Sequence, residues 1–129
     1  MKEDKFVKWI REAIEYLPVH LKEKLSNIEI TVKDMPGKED PVRDFSSSFV
    51  LGFYEGVPLG RKRMFHMITF PDRITLFSRQ IEKVSSSEKE MRELTIKTTL
   101  HEIGHYFGLS EKELLEIEVK SLKKKGEDE

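Results

Sequence analysis

The chain opens with apolar residues that repeat at helical spacing. They are Phe6, Ile10, Ala13, Ile14 and Leu17. Charged residues, Glu3, Lys8, Glu12 and Glu15 among them, are predicted to face water, and Pro18 follows the last apolar residue. Because proline ends a helix at or before the preceding residue, the pattern predicts an amphipathic helix with one face on the core.

Alternating or aromatic-rich runs then predict short β-strands. They cover residues 27–34, 49–54, 64–70 and 73–77. The first run has Ile28, Ile30 and Val32 on one face, as in a half-buried strand. Pro71 and Asp72 separate the last two runs and predict an antiparallel hairpin. Residues 35–48 and 55–60 are predicted loops, and residues 78–84 a connection with a helical turn.

A long helix is predicted over residues 88–107 by the signals at its two ends. Ser87 and Glu90 have the spacing of a capping box. Gly108 suits the left-handed conformation that terminates many helices. Ser110 and Glu113 repeat the capping-box spacing and predict a final helix, ending at Gly126.

The long helix divides into two faces at about 100° per residue. The first face is apolar and consists of Ile96, Leu100, Ile103 and Phe107. The almost opposite face consists of Leu94, Thr98, His101 and His105, with Glu102 at its edge. Because its other members are Leu and Thr, this histidine face is expected to lie in a sheltered cleft. Gly104, unfavourable within a helix, suggests that another group approaches closely there.

Composition restricts the classes of protein to consider. The length of 129 residues predicts a single domain, residues 1–129. A formal net charge of −1 gives no electrostatic reason to expect nucleic acid or an anionic membrane as partner. The sequence has no apolar run long enough to span a membrane and no secretory signal, which predicts a cytoplasmic location. With no cysteine, a transition metal would have to be bound by His and carboxylate groups.

The motif His101-Glu102-x-x-His105 indicates chemistry directly. Two histidines four residues apart lie on one face of a helix and can bind one zinc ion. Zinc lowers the pKa of a bound water to near 7, and the intervening Glu can accept its proton. The pattern therefore predicts one zinc ion, with His101 and His105 as ligands and Glu102 as general base.

A catalytic zinc site normally has a third protein ligand and an open position for water. Glu111 lies three residues beyond Gly108, which extends the motif to H-E-x-x-H-x-x-G-x-x-E. An acid in the first turn of a helix is also stabilised by the helix dipole alone. Glu116, Glu118 or a water molecule are therefore kept as alternatives to Glu111 as third ligand. No methionine follows His105, so the sequence lacks the Met-turn of some zincins.

Three stretches together resemble the minimal-metalloprotease family of small bacterial zincin-like proteins. They are residues 51–59, LGFYEGVPL, residues 71–77, PDRITLF, and residues 98–111, TTLHEIGHYFGLSE. The resemblance implies an α+β, zincin-like fold with an N-terminal helix, a small mixed sheet of about three to four strands, the active-site helix and a C-terminal helix. It also implies zinc at His101 and His105, with Glu102 as general base. The family typically has Asp at the last motif position, where this sequence has Glu111.

The leading functional hypothesis is a zinc-dependent metallopeptidase that hydrolyses a peptide or protein substrate. The substrate would lie extended along an edge strand of the sheet. The alternative is a non-catalytic zinc-binding domain that recognises a partner protein, and a partner could also complete the peptidase site. An accidental motif that binds no metal is the third hypothesis.

Overall fold

The computed structural model describes residues 2–25, 27–37, 51–56 and 72–128. Within these residues it has five helices: α1 (Lys2–Glu15), α2 (Val19–Lys24), α3 (Ser78–Val84), α4 (Glu88–Tyr106) and α5 (Glu111–Asp128). Its three strands are β1 (Glu29–Lys33), β2 (Gly52–Glu55) and β3 (Arg73–Phe77). The protein is therefore of the α+β class, with a small mixed sheet, as predicted.

β3 is the central strand of this sheet, and the order is β1–β3–β2. β1 runs parallel to β3, with Ile30 opposite Ile74. β2 runs antiparallel to β3, with Tyr54 opposite Ile74. The predicted hairpin partner of β3, residues 64–70, lies outside the described residues together with His66, so the hairpin stays a prediction.

The core lies where α1, α2, α3 and α4 meet the sheet. Its buried apolar side chains include Phe6, Ile10, Leu21, Ile74, Leu76, Ile81, Ile96, Leu100 and Ile103. α1 packs against β1 and α4, and α4 also packs against β2 and β3. Burial of these side chains is the main contribution to stability. The predicted apolar faces of α1 and α4 are those that the core contains.

Several boundaries differ from the sequence prediction. Pro18 ends α1 as expected, but the chain then forms α2, which the sequence pattern did not predict. Residues 78–84 form a complete helix rather than a single turn. Gly126 was predicted to end the last helix, which instead continues to Asp128. Glycine in a helix costs only about 1 kcal/mol relative to alanine, so one glycine without a turn signal need not end a helix.

Both predicted capping residues are in place. The backbone N–H of Glu90 donates to Ser87 Oγ over 3.1 Å, and Ser87 is the N-cap of α4. The Glu90 carboxylate accepts from the N–H of Ser86 rather than that of Ser87. At α5, the N–H of Glu113 donates to Ser110 Oγ, and Ser110 N–H donates to the Glu113 carboxylate. These caps define where α4 and α5 begin.

Candidate metal centre

α4 and α5 form the candidate site, and the turn between them determines how they meet. Gly108 lies just beyond α4 with φ +78°, in the left-handed region predicted for it. The N–H of Leu109 closes the turn by donating to the carbonyl of Gly104 over 2.8 Å. Ser110 then caps α5, so that Glu111 is the first residue of the new helix.

Gly104 brings the two helices close together. A Cβ atom added at this position would overlap Leu114 Cδ2 and lie 3.1 Å from Leu114 Cγ. Leu114 is fully buried and belongs to α5. The close approach predicted at Gly104 is therefore that of an α5 side chain, and the reason for this glycine is packing.

The histidine face of α4 meets the first turn of α5. Ligand atoms of His101, His105 and Glu111 all lie within 4.8 Å of one another. The two imidazole rings are nearly perpendicular, with centroids 5.5 Å apart. Nε2 of His105 lies 2.9 Å from Glu111 Oε1. The structure thus brings together the three residues that the sequence motif nominates as metal ligands.

The donor set suits zinc. Two imidazoles and a carboxylate form one of the ligand sets of catalytic zinc, and each of these atoms would lie about 2.0–2.2 Å from the ion. Ligand atoms held within 4.8 Å of one another are compatible with this geometry after small side-chain rotations. The chain has no cysteine, so these nitrogen and oxygen atoms are the donors available here.

Glu102 is half-buried beside the histidines. Burial raises the pKa of its carboxyl group above the ordinary value, and the nearby His105 and His101 oppose part of that increase. Glu102 and His101 also line a cleft of about 490 Å³ between α4 and β2. The other lining residues are Leu51, Gly52, Leu94, Lys97 and Thr98. The predicted sheltered cleft is present for His101 and Glu102, whereas the side chain of His105 is 53% exposed.

A second glutamate of α5 contacts the site. Glu118 Oε2 lies 2.7 Å from Nε2 of His101. The sequence offered Glu116 and Glu118 as equal alternatives, because the spacing alone did not show which face of α5 turns towards α4. Glu118 is partly buried against His101, and Glu116 is exposed.

Next to the histidines, two tyrosines pack together at the end of α4. The rings of Tyr54 and Tyr106 have centroids 4.4 Å apart. Tyr54 Oη donates to Asp72 Oδ2 over 2.6 Å, and burial together with this carboxylate raises the pKa of Tyr54, so its hydroxyl stays protonated. A Cβ at Gly56 would overlap Tyr106 Oη, so Gly56 allows this packing. The sequence carried no periodic signal for the Tyr54–Asp72 contact.

Comparison with known protein families shows which family the chain belongs to. Residues 25–121 match the family model of the zincin-like metallopeptidases, and the chain therefore belongs to that family. A search of curated proteins found no match.

A solved structure supports the fold. A conserved hypothetical protein from Thermus thermophilus is similar with a TM-score of 0.51 and 18% sequence identity. The similarity covers 81% of this chain and 92% of the other. At this identity it shows a shared fold and carries no information on activity.

Proposed function

We propose that this protein is a zinc-dependent peptidase, with His101, His105 and Glu111 as the metal ligands. The observation that carries the proposal is the convergence of these three residues within 4.8 Å, next to a cleft that Glu102 lines. Membership of the zincin-like metallopeptidase family supports the same class of reaction.

When bound, zinc supplies a Lewis acid that polarises a carbonyl group and lowers the pKa of water. Glu102 supplies the proton transfers. Its carboxylate accepts a proton from the water that attacks the peptide carbonyl carbon, and it then delivers that proton to the amine nitrogen as the C–N bond breaks. A half-buried carboxylate with a raised pKa suits both steps, because it holds the proton more readily than an exposed glutamate would.

The proposed substrate is a peptide segment in extended conformation along β2. β2 is an edge strand of the described sheet, and Leu51 and Gly52 line the cleft opposite His101 and Glu102. Backbone hydrogen bonds to an edge strand hold a peptide with little dependence on its side chains. A Cβ atom at Gly52 would overlap the backbone oxygen of Thr75, so this glycine allows β2 to lie close to β3.

Metal analysis of the purified chain tests the metal centre. We expect about one zinc per chain in the parent, and loss of zinc in His101→Ala and His105→Ala. His20→Ala is the matched control, since His20 is exposed on α2 and should not change the zinc content. Equal zinc in all four proteins would contradict the assignment of the histidines.

The second candidate function is a non-catalytic zinc-binding domain that recognises a partner protein. The contact between Glu118 and His101 favours it, because a further carboxylate at the metal centre could fill the open position that catalysis requires. One zinc per chain, with no cleavage across a broad peptide library, would support this candidate over a peptidase.

The proposed setting is the cytoplasm, and residues 1–129 are proposed to form one domain. Among the described residues, none of the helices is long and apolar enough to cross a membrane. The near-neutral charge gives no support for nucleic acid or a membrane surface as partner. A protein partner that completes the site is compatible with the cleft.

A further inference from the structure

Two glutamates of α5 face the two histidines of α4. Glu111 and Glu118 are seven residues apart, which places them on the same side of a helix, separated by two turns. His101 and His105 are one turn apart on α4. Glu111 lies 2.9 Å from Nε2 of His105, and Glu118 lies 2.7 Å from Nε2 of His101. Each imidazole thus has its own carboxylate.

The pair formed by His101 and Glu118 is the more sheltered of the two. Its side chains are 26% and 16% exposed, whereas those of His105 and Glu111 are 53% and 76% exposed. A carboxylate that is largely removed from water needs a strong partner, since neutral donors compensate poorly for lost hydration. Glu118 lines a different cavity from the one that Glu102 and His101 line.

A metal ion at His101 would change this contact. Nε2 cannot both carry a proton and bind zinc, because a ligand nitrogen must be deprotonated. Zinc bound through Nε2 would therefore replace the direct contact of this nitrogen with Glu118 Oε2. The Glu118 carboxylate would then either remain partly buried without its partner or move to the zinc ion. Its negative charge favours the second outcome, because a buried charge without a partner is unfavourable.

We propose that Glu118 is a second carboxylate ligand of the metal centre. This inference rests on the proposed zinc site and adds to it a residue outside the H-E-x-x-H-x-x-G-x-x-E pattern. The cluster within 4.8 Å contains His101, His105 and Glu111, so the Glu118 side chain must rotate towards it when metal is bound. The resting site would then have four protein ligands, and catalysis would need Glu118 to withdraw or the coordination number to rise.

Zinc affinity provides the first test. We compare the full-length parent with Glu118→Gln and Glu116→Gln by competition with a chromophoric chelator. The glutamine side chain has nearly the same size as glutamate and could still accept a hydrogen bond from His101, so the fold should be kept. We expect zinc to bind at least about tenfold more weakly to Glu118→Gln. Glu116→Gln, two positions earlier on the exposed side of α5, should match the parent.

The visible spectrum of the Co²⁺-substituted protein provides the second test, because it reports the number and kind of directly bound ligands. We expect the spectrum of Glu118→Gln to differ from that of the parent, and the spectrum of Glu116→Gln to be unchanged. Glu118→Asp, which keeps the charge on a shorter side chain, should recover part of the affinity. Circular dichroism establishes that each variant is folded.

The outcomes separate this inference from the proposed function. A parent that binds neither zinc nor Co²⁺ would overturn both. A parent that binds zinc, with Glu118→Gln binding as tightly or more tightly, would overturn the role of Glu118 alone. Weaker binding with an unchanged Co²⁺ spectrum would also overturn direct ligation, because the carboxylate would then act from outside the coordination sphere.

Discussion

At the scale of single residues, two acidic residues in the first turn of α5, Glu111 and Glu113, have different roles. Glu111 contacts His105 and belongs to the candidate metal site, whereas Glu113 accepts a hydrogen bond from the N–H of Ser110 and caps the helix. That hydrogen bond lowers the pKa of Glu113, so the carboxylate stays ionised. The helix dipole would favour either acid, and only the contacts distinguish them.

Glu111→Ala and Glu113→Ala should therefore change different properties, zinc affinity in the first and stability in the second. We expect Glu111→Ala to bind zinc at least about tenfold more weakly, with the metal-free protein nearly as stable as the parent, because a metal ligand is lost from an exposed position. Glu113→Ala should lose one of the two hydrogen bonds of the capping box, become less stable than the parent, and keep its zinc affinity. Chelator competition and urea unfolding of the metal-free proteins measure the two quantities. Unchanged zinc affinity in Glu111→Ala would move the third ligand elsewhere.

The sequence predicts the residues of the motif, but it does not predict the contacts that other residues make with them in the folded chain. The residues of the motif are close in sequence, so a helix, a glycine turn and a second helix bring them together independently of the rest of the fold. These residues are His101, Glu102, His105 and Glu111. The role of Glu118 depends on how α5 is rotated against α4. That rotation is determined by Leu114 packing on Gly104, a pair ten positions apart whose contact no local period shows.

At the scale of elements, the site depends on the close contact of α4 with α5. Gly104→Ala would place a methyl group against the fully buried Leu114. Alanine gains about 1 kcal/mol in helix propensity, but overpacking typically costs about 1–3 kcal/mol, so we expect a small net destabilisation. We also expect weaker zinc binding, because α5 and its glutamates are pushed from the histidines.

The comparison variant is Lys97→Ala, an exposed change two turns earlier on α4. Thermal unfolding and chelator competition on both proteins measure the effect. If Gly104→Ala is as stable as Lys97→Ala and binds zinc as tightly, Leu114 does not determine the spacing of the helices.

The turn at Gly108, which joins α4 to α5, leads to a second prediction, on the stability of variants at this position. Its φ of +78° is unfavourable for residues with a Cβ atom, at a cost of roughly 1–2 kcal/mol. Space is not the limitation, since a Cβ would meet no atom within 4 Å. Gly108→Ala should therefore lose stability by that amount, and Gly108→Asn should lose less because Asn tolerates this conformation. Stability of both variants equal to that of the parent in urea would show that the turn can relax without cost.

Local signals predicted most of the helices. Capping residues and apolar periods placed α1, α4 and the start of α5, because these features act within one or two turns. α2 is six residues long and has no side-chain cap, so its formation depends on Leu21 packing into the core. Such a helix is stabilised by tertiary contacts that a local pattern does not contain.

At the scale of the whole molecule, the central strand is the part that sequence could predict least. The sequence pattern predicts a strand at residues 73–77, but the parallel pairing of this strand with β1 joins residues more than forty positions apart. The alternation of apolar and polar residues along a strand shows which face of the strand is buried, but it does not show which strand lies next to it in the sheet. The small mixed sheet was expected from the family resemblance, and its strand order required the structure.

Metal binding should stabilise the whole molecule. A ligand that binds only the folded chain raises the free energy of unfolding by about 2.7 kcal/mol at a hundred times its Kd. We therefore expect zinc to raise the Tm of the parent by several degrees and a chelator to reverse the change. His101→Ala should show no such response. A parent Tm that is independent of zinc would be evidence against a metal centre formed by α4 and α5.

The proposed role of Glu102 is tested by measuring peptide hydrolysis by the parent and by Glu102→Gln at equal zinc content. Glutamine has nearly the same size as glutamate but cannot accept the proton, and Glu116→Gln controls for loss of charge at an exposed site. If the protein is a zinc peptidase with Glu102 as general base, the parent and Glu116→Gln cleave the peptide, and the rate of Glu102→Gln is lower by about 10²–10⁴-fold. Cleavage by Glu102→Gln at the rate of the parent would contradict this role of Glu102.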